Sequence, residues 1–243
     1  MRQVLALLVL LAAAAGPPAA ARAATAVELE LVLAVDGSSS VTSWEFDLQM
    51  RGLSAAFRDP EVQGAVRAAG DLGIAVTLVQ WSGRDRQIKA VEWTLIYDGA
   101  SAAEFAADLD AAPRYVTGGS TAIGNAIGFS QLLLESNGYQ GKRRTIDVSG
   151  DGRTNQGVQT PELRDAAVAA GITINGLAIL NEDPGVDAYY RDNVIGGSGA
   201  FLISATDYRD FARAIRMKLI REIGGPPLVQ APATRREQTA WRP

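Results

Sequence analysis

The chain has 243 residues, with 23 Lys or Arg against 27 Asp or Glu for a formal net charge of −4, and it contains neither cysteine nor histidine. Thiolate nucleophiles, disulfides and sulfur ligands for zinc are therefore excluded, and so are the commonest general base and the commonest transition-metal ligand. Carboxylates and hydroxyls are left for any chemistry, and the mild acidity without a Lys/Arg stripe argues against a nucleic-acid partner.

Residues 1–23 begin with Arg2, continue with an apolar run from Val4 to Ala15, break at Gly16-Pro17-Pro18 and end in small residues. This is the layout of a cleavable secretory signal, with cleavage expected after Ala23 or Ala26. The run is shorter than the roughly 20 residues that a membrane-spanning helix needs. Removing residues 1–23 takes away Arg2 and Arg22 and no acid, leaving 21 basic and 27 acidic residues, net −6. The expected product is soluble and exported, to the periplasm or beyond.

About 220 residues remain, enough for one large α/β domain. Short β-rich apolar runs at 29–35, 74–81, 143–149, 172–179 and 200–204 read as buried strands. The segment 86–96 reads as an antiparallel partner at a sheet edge. Thr42 with Glu45, and Ser101 with Glu104, have capping-box spacing. Thr160 at the cap, Pro161 at the first position and Gly171 past the end bracket another helix, and Asp207 opens a last one with Tyr208, Phe211, Ile215 and Leu219 on its buried side. Trp44, Trp81 and Trp93 are expected to bury their rings, and Asp147, within a strand, to be a structural carboxylate. From residue 224 on, the Pro-rich polar sequence reads as a tail.

The predicted fold class is α/β: a doubly wound, mostly parallel central sheet with one antiparallel edge strand and helices on both faces. Ligands of such sheets bind beyond the carboxyl ends of the strands. Three loops lie there. The first, "DGSSS", places Asp36, Ser38 and Ser40 at alternate positions that can converge; the second, "TGGSTAIG", brings Thr121 to a helix start; the third, "VSGDG", puts Asp151 just beyond a strand. Together they offer hard oxygen donors and only two carboxylates, a set that suits Mg²⁺ or Mn²⁺ with an open coordination position.

The three motifs, in this order, resemble the metal-ion-dependent adhesion site (MIDAS) of von Willebrand factor type A (VWA) domains, and the wording of "GGSTAIG", "VSGDG" and "GITINGLAI" is similar to an exported bacterial branch of that family. The resemblance spans residues 27–223. It implies that Ser38, Ser40 and Thr121 supply hydroxyl oxygens, that Asp36 and Asp151 bind directly or through water, and that an Asp or Glu of a protein partner completes the octahedron.

Rival chemistries fit less well. An aspartyl phosphotransferase would carry an acid where Ser38 stands. The glycine-rich loop resembles that of short-chain dehydrogenases, but Ala122 replaces the middle glycine and no Tyr-x-x-x-Lys follows. An EF-hand over 151–162 fails at Arg153 and Gln156. A serine hydrolase at Ser38, Ser39 or Ser149 lacks histidine. A metal-dependent phosphoester hydrolase and a scaffold with a vestigial site stay open at this point, as does the plainer reading in which Ser38, Ser40 and Thr121 cap helices and Asp151 sits in a turn.

Overall fold

A computed structural model describes residues 24–225. The expected signal segment, and the tail from residue 226 on, lie outside the described residues. The elements in chain order are β1 (Thr25–Asp36), α1 (Ser43–Arg58), α2 (Pro60–Ala69), β2 (Ile74–Trp81), β3 (Gln87–Ile96), α3 (Gly99–Ala111), α4 (Ile123–Glu135), β4 (Tyr139–Gly150), α5 (Thr160–Ala169), β5 (Thr173–Ile179), α6 (Val186–Tyr189), β6 (Leu202–Ala205) and α7 (Phe211–Gly224). α6 runs directly into a π-helical turn over Tyr190–Val194. Because β1 starts at Thr25, cleavage after Ala26 would remove its first two residues, whereas cleavage after Ala23 would leave it whole.

The strands form one six-stranded sheet in the order β3-β2-β1-β4-β5-β6. β2 and β3 pair antiparallel at one edge, and the other pairings are parallel. Alternation along β1 divides the core into two layers. Leu29, Leu31, Leu33 and Val35 join a cluster with residues of α1, α2, α3 and α7, while Val32 and Ala34 join one with residues of α4, α5 and α6. Both faces of the sheet are thus covered, which is why β1 and β2 read as almost unbroken apolar runs.

Helix starts follow local chemistry, in places other than expected. Thr42 and Glu45 form the capping box of α1 in both directions. The box of α3 is instead Asp98 with Ser101, because Asp98 Oδ1 accepts the Ser101 amide at 2.8 Å and Ser101 Oγ accepts the Asp98 amide at 3.1 Å. α5 is preceded by Gln159 without a side-chain cap, and the Thr160 hydroxyl turns to Thr154 Oγ1 at 2.6 Å. Asp207 does not start α7: its carboxylate accepts the amides of Arg209 and Asp210 in a turn, and the helix begins at Phe211. α2 was not foreseen, although Asp59 before Pro60 is a readable cap and first position. Trp81 is buried, but Trp44 stands 54% exposed with Arg209 over its ring at 5.6 Å.

Asp147 is buried and paired with the buried Lys218 at 2.7 Å, and Lys218 also reaches Glu222 at 2.8 Å. Burial and the neighbouring Glu222 push the Asp147 carboxyl well above the usual range, against the pull of the Lys218 ammonium.

Phe57 of α1 and Phe105 of α3 meet edge to face, with centroids 4.8 Å apart, and both are fully buried. Phe57→Ala leaves a cavity at the junction of α1, α3 and the sheet. It should lower the unfolding free energy by about 3–5 kcal/mol in urea titrations; a loss below about 1 kcal/mol would contradict this packing.

Candidate metal centre

The site is a consequence of register. β1 and β4 are adjacent and parallel, with Val35 opposite Ser149. The next residues therefore place Asp36 beside Gly150, and Asp151 one step further. This is also where the chain order switches direction, since β1 leads into a helix on one face and β4 into a helix on the other, so the loops part and leave a crevice.

A chain of hydrogen bonds then runs through the first and third loops. The Ser38 amide donates to Asp36 Oδ1 at 2.8 Å, Ser38 Oγ and Ser40 Oγ are 3.2 Å apart, and Ser40 Oγ donates to Asp151 Oδ1 at 2.7 Å. Thr121 lines the same cleft as Ser40 and Asp151, a depression of about 240 Å³ whose rim includes Arg153, Glu182 and Asp183. A larger groove of about 570 Å³, between α1 and the segment after α3, lacks the carboxylate pair and is not the chemical centre.

The hydroxyls are not used up as helix caps. Thr42 caps α1, and α4 has no side-chain cap, so neither Ser38, Ser40 nor Thr121 serves that role. Asp36, Ser38 and Asp151 are almost wholly buried, and Asp36 Oδ2 has no hydrogen-bond partner. Burial, and then the Asp151 charge, push the Asp36 carboxyl up to about 7. Burial likewise raises Asp151, against the bonds from Ser40 and Tyr208 that favour its charged form. Two desolvated carboxylates and a free lone pair fit a cation, and an all-oxygen donor set fits a hard one such as Mg²⁺ or Mn²⁺. Among the described residues no three His, Cys, Asp or Glu side chains converge, so hydroxyls would have to complete the ligand set.

Several residues support the site, most of them not legible in the sequence. Arg114 donates to the carbonyls of Gly37, Val41 and Val116 at 2.8–3.0 Å and stacks over Phe46, tying the first loop to the second. Ser39 and Gly119 exchange bonds across the same gap, amide to carbonyl at 3.0 Å and amide to hydroxyl at 2.8 Å. Gly118 and Gly119 take φ of 65° and 96°, a left-handed path that side chains resist. Asn155 holds the Thr121 amide at 2.8 Å. Tyr208, expected in the buried face of the last helix, donates instead to Asp151 Oδ2 at 2.9 Å from the turn before α7.

The family described as "Protein of unknown function (DUF1194)" matches residues 26–227. The chain belongs to that family. No curated protein matches it. Among solved structures, this DUF1194 protein is similar to proximal thread matrix protein 1 from the mussel byssus, at 14% identity and a TM-score of 0.59, over 82% of this chain and 49% of that one. The same mussel protein with a zinc-occupied MIDAS motif gives a TM-score of 0.56 at 14% identity over 81% and 46%. A von Willebrand factor type A protein from Catenulispora acidiphila gives 0.55 at 14% identity over 82% and 43%. The fold is that of a VWA domain, and the chain spans about half the length of the first of these structures.

The raised Asp36 carboxyl fixes a pH dependence. Between the ordinary value of 3.8 and about 7, the folded protein keeps a proton on Asp36 that the unfolded chain has released. Stability contributed by this group therefore falls as pH rises through that window. In metal-free buffer Asp36→Asn should match the wild type at about pH 4 and exceed its stability at about pH 8, by up to about 4 kcal/mol. Equal stabilities at both pH values would contradict the assignment.

Proposed function

We propose that this protein is an exported interaction module in which Asp36, Ser38, Ser40, Thr121 and Asp151 hold Mg²⁺ or Mn²⁺, and the ion captures an Asp or Glu side chain of a protein partner. The reading assigns no reaction to the site. It is supported above all by one observation: the hydrogen-bonded series from Asp36 through Ser38 and Ser40 to Asp151, opening on a cleft that Thr121 also lines.

The physical logic is that hydroxyl ligands bring no charge. A divalent ion balanced by two acids and neutral oxygens keeps a strong pull on a third carboxylate, and that pull is greatest where water is thin. The zinc-occupied motif of the mussel relative lends support to divalent-metal binding on this fold. Export rests on residues 1–23, and periplasmic or secreted placement follows from it. Among the described residues no helix is long and apolar enough to cross a membrane.

Calorimetric titration of MgCl₂ and MnCl₂ into residues 24–243, beside Asp36→Ala and Asp151→Ala proteins of native circular dichroism, tests the metal. Saturable binding in the wild type that weakens at least tenfold in both variants is expected. Binding that survives both substitutions would place the ion elsewhere. For the partner, capture that EDTA abolishes, and that an acid-to-amide change in the captured protein also abolishes, is the expected result. EDTA-sensitive hydrolysis of p-nitrophenyl phosphate by the wild type, lost in Asp36→Ala, would favour a phosphoester hydrolase instead.

A further inference from the structure

One carboxylate of the candidate centre is met from the protein interior by a tyrosine, and a second tyrosine lies close to the other. Tyr208, in the turn before α7, is 2% exposed and donates to Asp151 Oδ2 at 2.9 Å while Ser40 takes Oδ1 at 2.7 Å. Asp151 therefore has one donor on each oxygen, from opposite ends of the chain.

Tyr190 stands in the corresponding place behind Asp36. It is the first residue of the π-helical turn that follows α6, and it is fully buried. Its hydroxyl has no hydrogen-bond partner, and neither has Asp36 Oδ2. The two atoms flank Gly150: a Cβ there would stand 2.7 Å from Tyr190 Oη and 2.8 Å from Asp36 Oδ2. An unpaired donor and an unpaired acceptor, both excluded from water, thus face the same glycine. A buried polar group left without a partner is destabilising, so the pair asks for a role. A π turn re-aims one side chain of a helix, and such turns recur at functional sites. Gly150 keeps the space between the two atoms clear of a side chain.

We propose that Tyr190 and Tyr208 are positioning residues of the centre, each hydroxyl orienting one carboxylate from within the core, Tyr208 on Asp151 and Tyr190 on Asp36. Tyr208 already makes its bond. Tyr190 makes its own when a bound cation fixes Asp36, through a small shift of the loop after β1 or β4 that brings Oη to Oδ2. The carboxylates then present fixed oxygens to the cleft, and a cation need not pay the entropy of ordering them. This rests on the metal reading above.

The test compares the wild type, Tyr190→Phe and Tyr208→Phe, each of which removes only an oxygen. Mn²⁺ affinity is measured by calorimetry, and thermal unfolding is followed without metal and with saturating Mn²⁺. We expect each variant to bind Mn²⁺ at least tenfold more weakly, and the metal-induced rise in Tm to shrink in both. Metal-free Tyr190→Phe should unfold no earlier than the wild type, because the hydroxyl it loses has no partner. Metal-free Tyr208→Phe should unfold earlier, because it loses a bond. Wild-type affinity retained in either variant overturns the role of that tyrosine while leaving the metal reading intact. A wild type that takes up no Mn²⁺ overturns both.

Discussion

Two carboxylates are buried side by side where β1 and β4 end, and the rest of the site answers that constraint. Burial, and then the charge of Asp151, push the Asp36 carboxyl up to about 7, so at neutral pH it is ionised only in part. Removing one charged group from water costs several kcal/mol even after relaxation, so such pairs persist only where something offsets the repulsion. Hydrogen bonds from the Ser38 amide, Ser40 and Tyr208 offset part of it. The unmet demand of the Asp36 carboxylate is what a divalent cation, with the Tyr190 hydroxyl behind it, is proposed to satisfy.

The architecture delivers that pair by sequence-local means. Parallel pairing fixes the register of β1 against β4, and the strand order sends the following segments to opposite faces, which opens the crevice. The loops then need only to be held together. Arg114 does this with three carbonyls of the first and second loops, and Asn155 ties the second loop to the third. A large part of the site's rigidity thus comes from residues that would never touch a bound ion. The VWA fold of the DUF1194 chain is shared with proteins of about one-seventh sequence identity, so overall likeness shows the fold alone, and it is these local ties that hold the three loops together here.

Fold class was legible because both-face burial leaves a plain mark: β1 and β2 are nearly continuous apolar runs, and the β3 edge strand mixes polar and apolar residues. Asp36, Ser38, Ser40, Thr121 and Asp151 were legible as a motif because three of them alternate after a strand and the others follow glycine turns or strands. The supports were not. Tyr208 has the spacing of a helix-core residue, and only the turn made by Asp207 takes it out of α7 and aims its hydroxyl at Asp151. Arg114 lies in a stretch without periodicity, where nothing local says which carbonyls it will meet. The Asp98–Ser101 cap lost to a plausible neighbour because Ser101 can serve at either end of a box.

The central claim is that the oxygens of the first, second and third loops surround one cation. Anomalous diffraction from crystals grown with Mn²⁺ tests it most directly. The account predicts a single strong manganese peak in the cleft, within about 2.0–2.3 Å of Ser38 Oγ, Ser40 Oγ or Thr121 Oγ1 and bridged to Asp36 and Asp151 directly or through water. A fully ordered cleft with no peak, or a peak bound only by Glu182 and Asp183 on the rim, would contradict it.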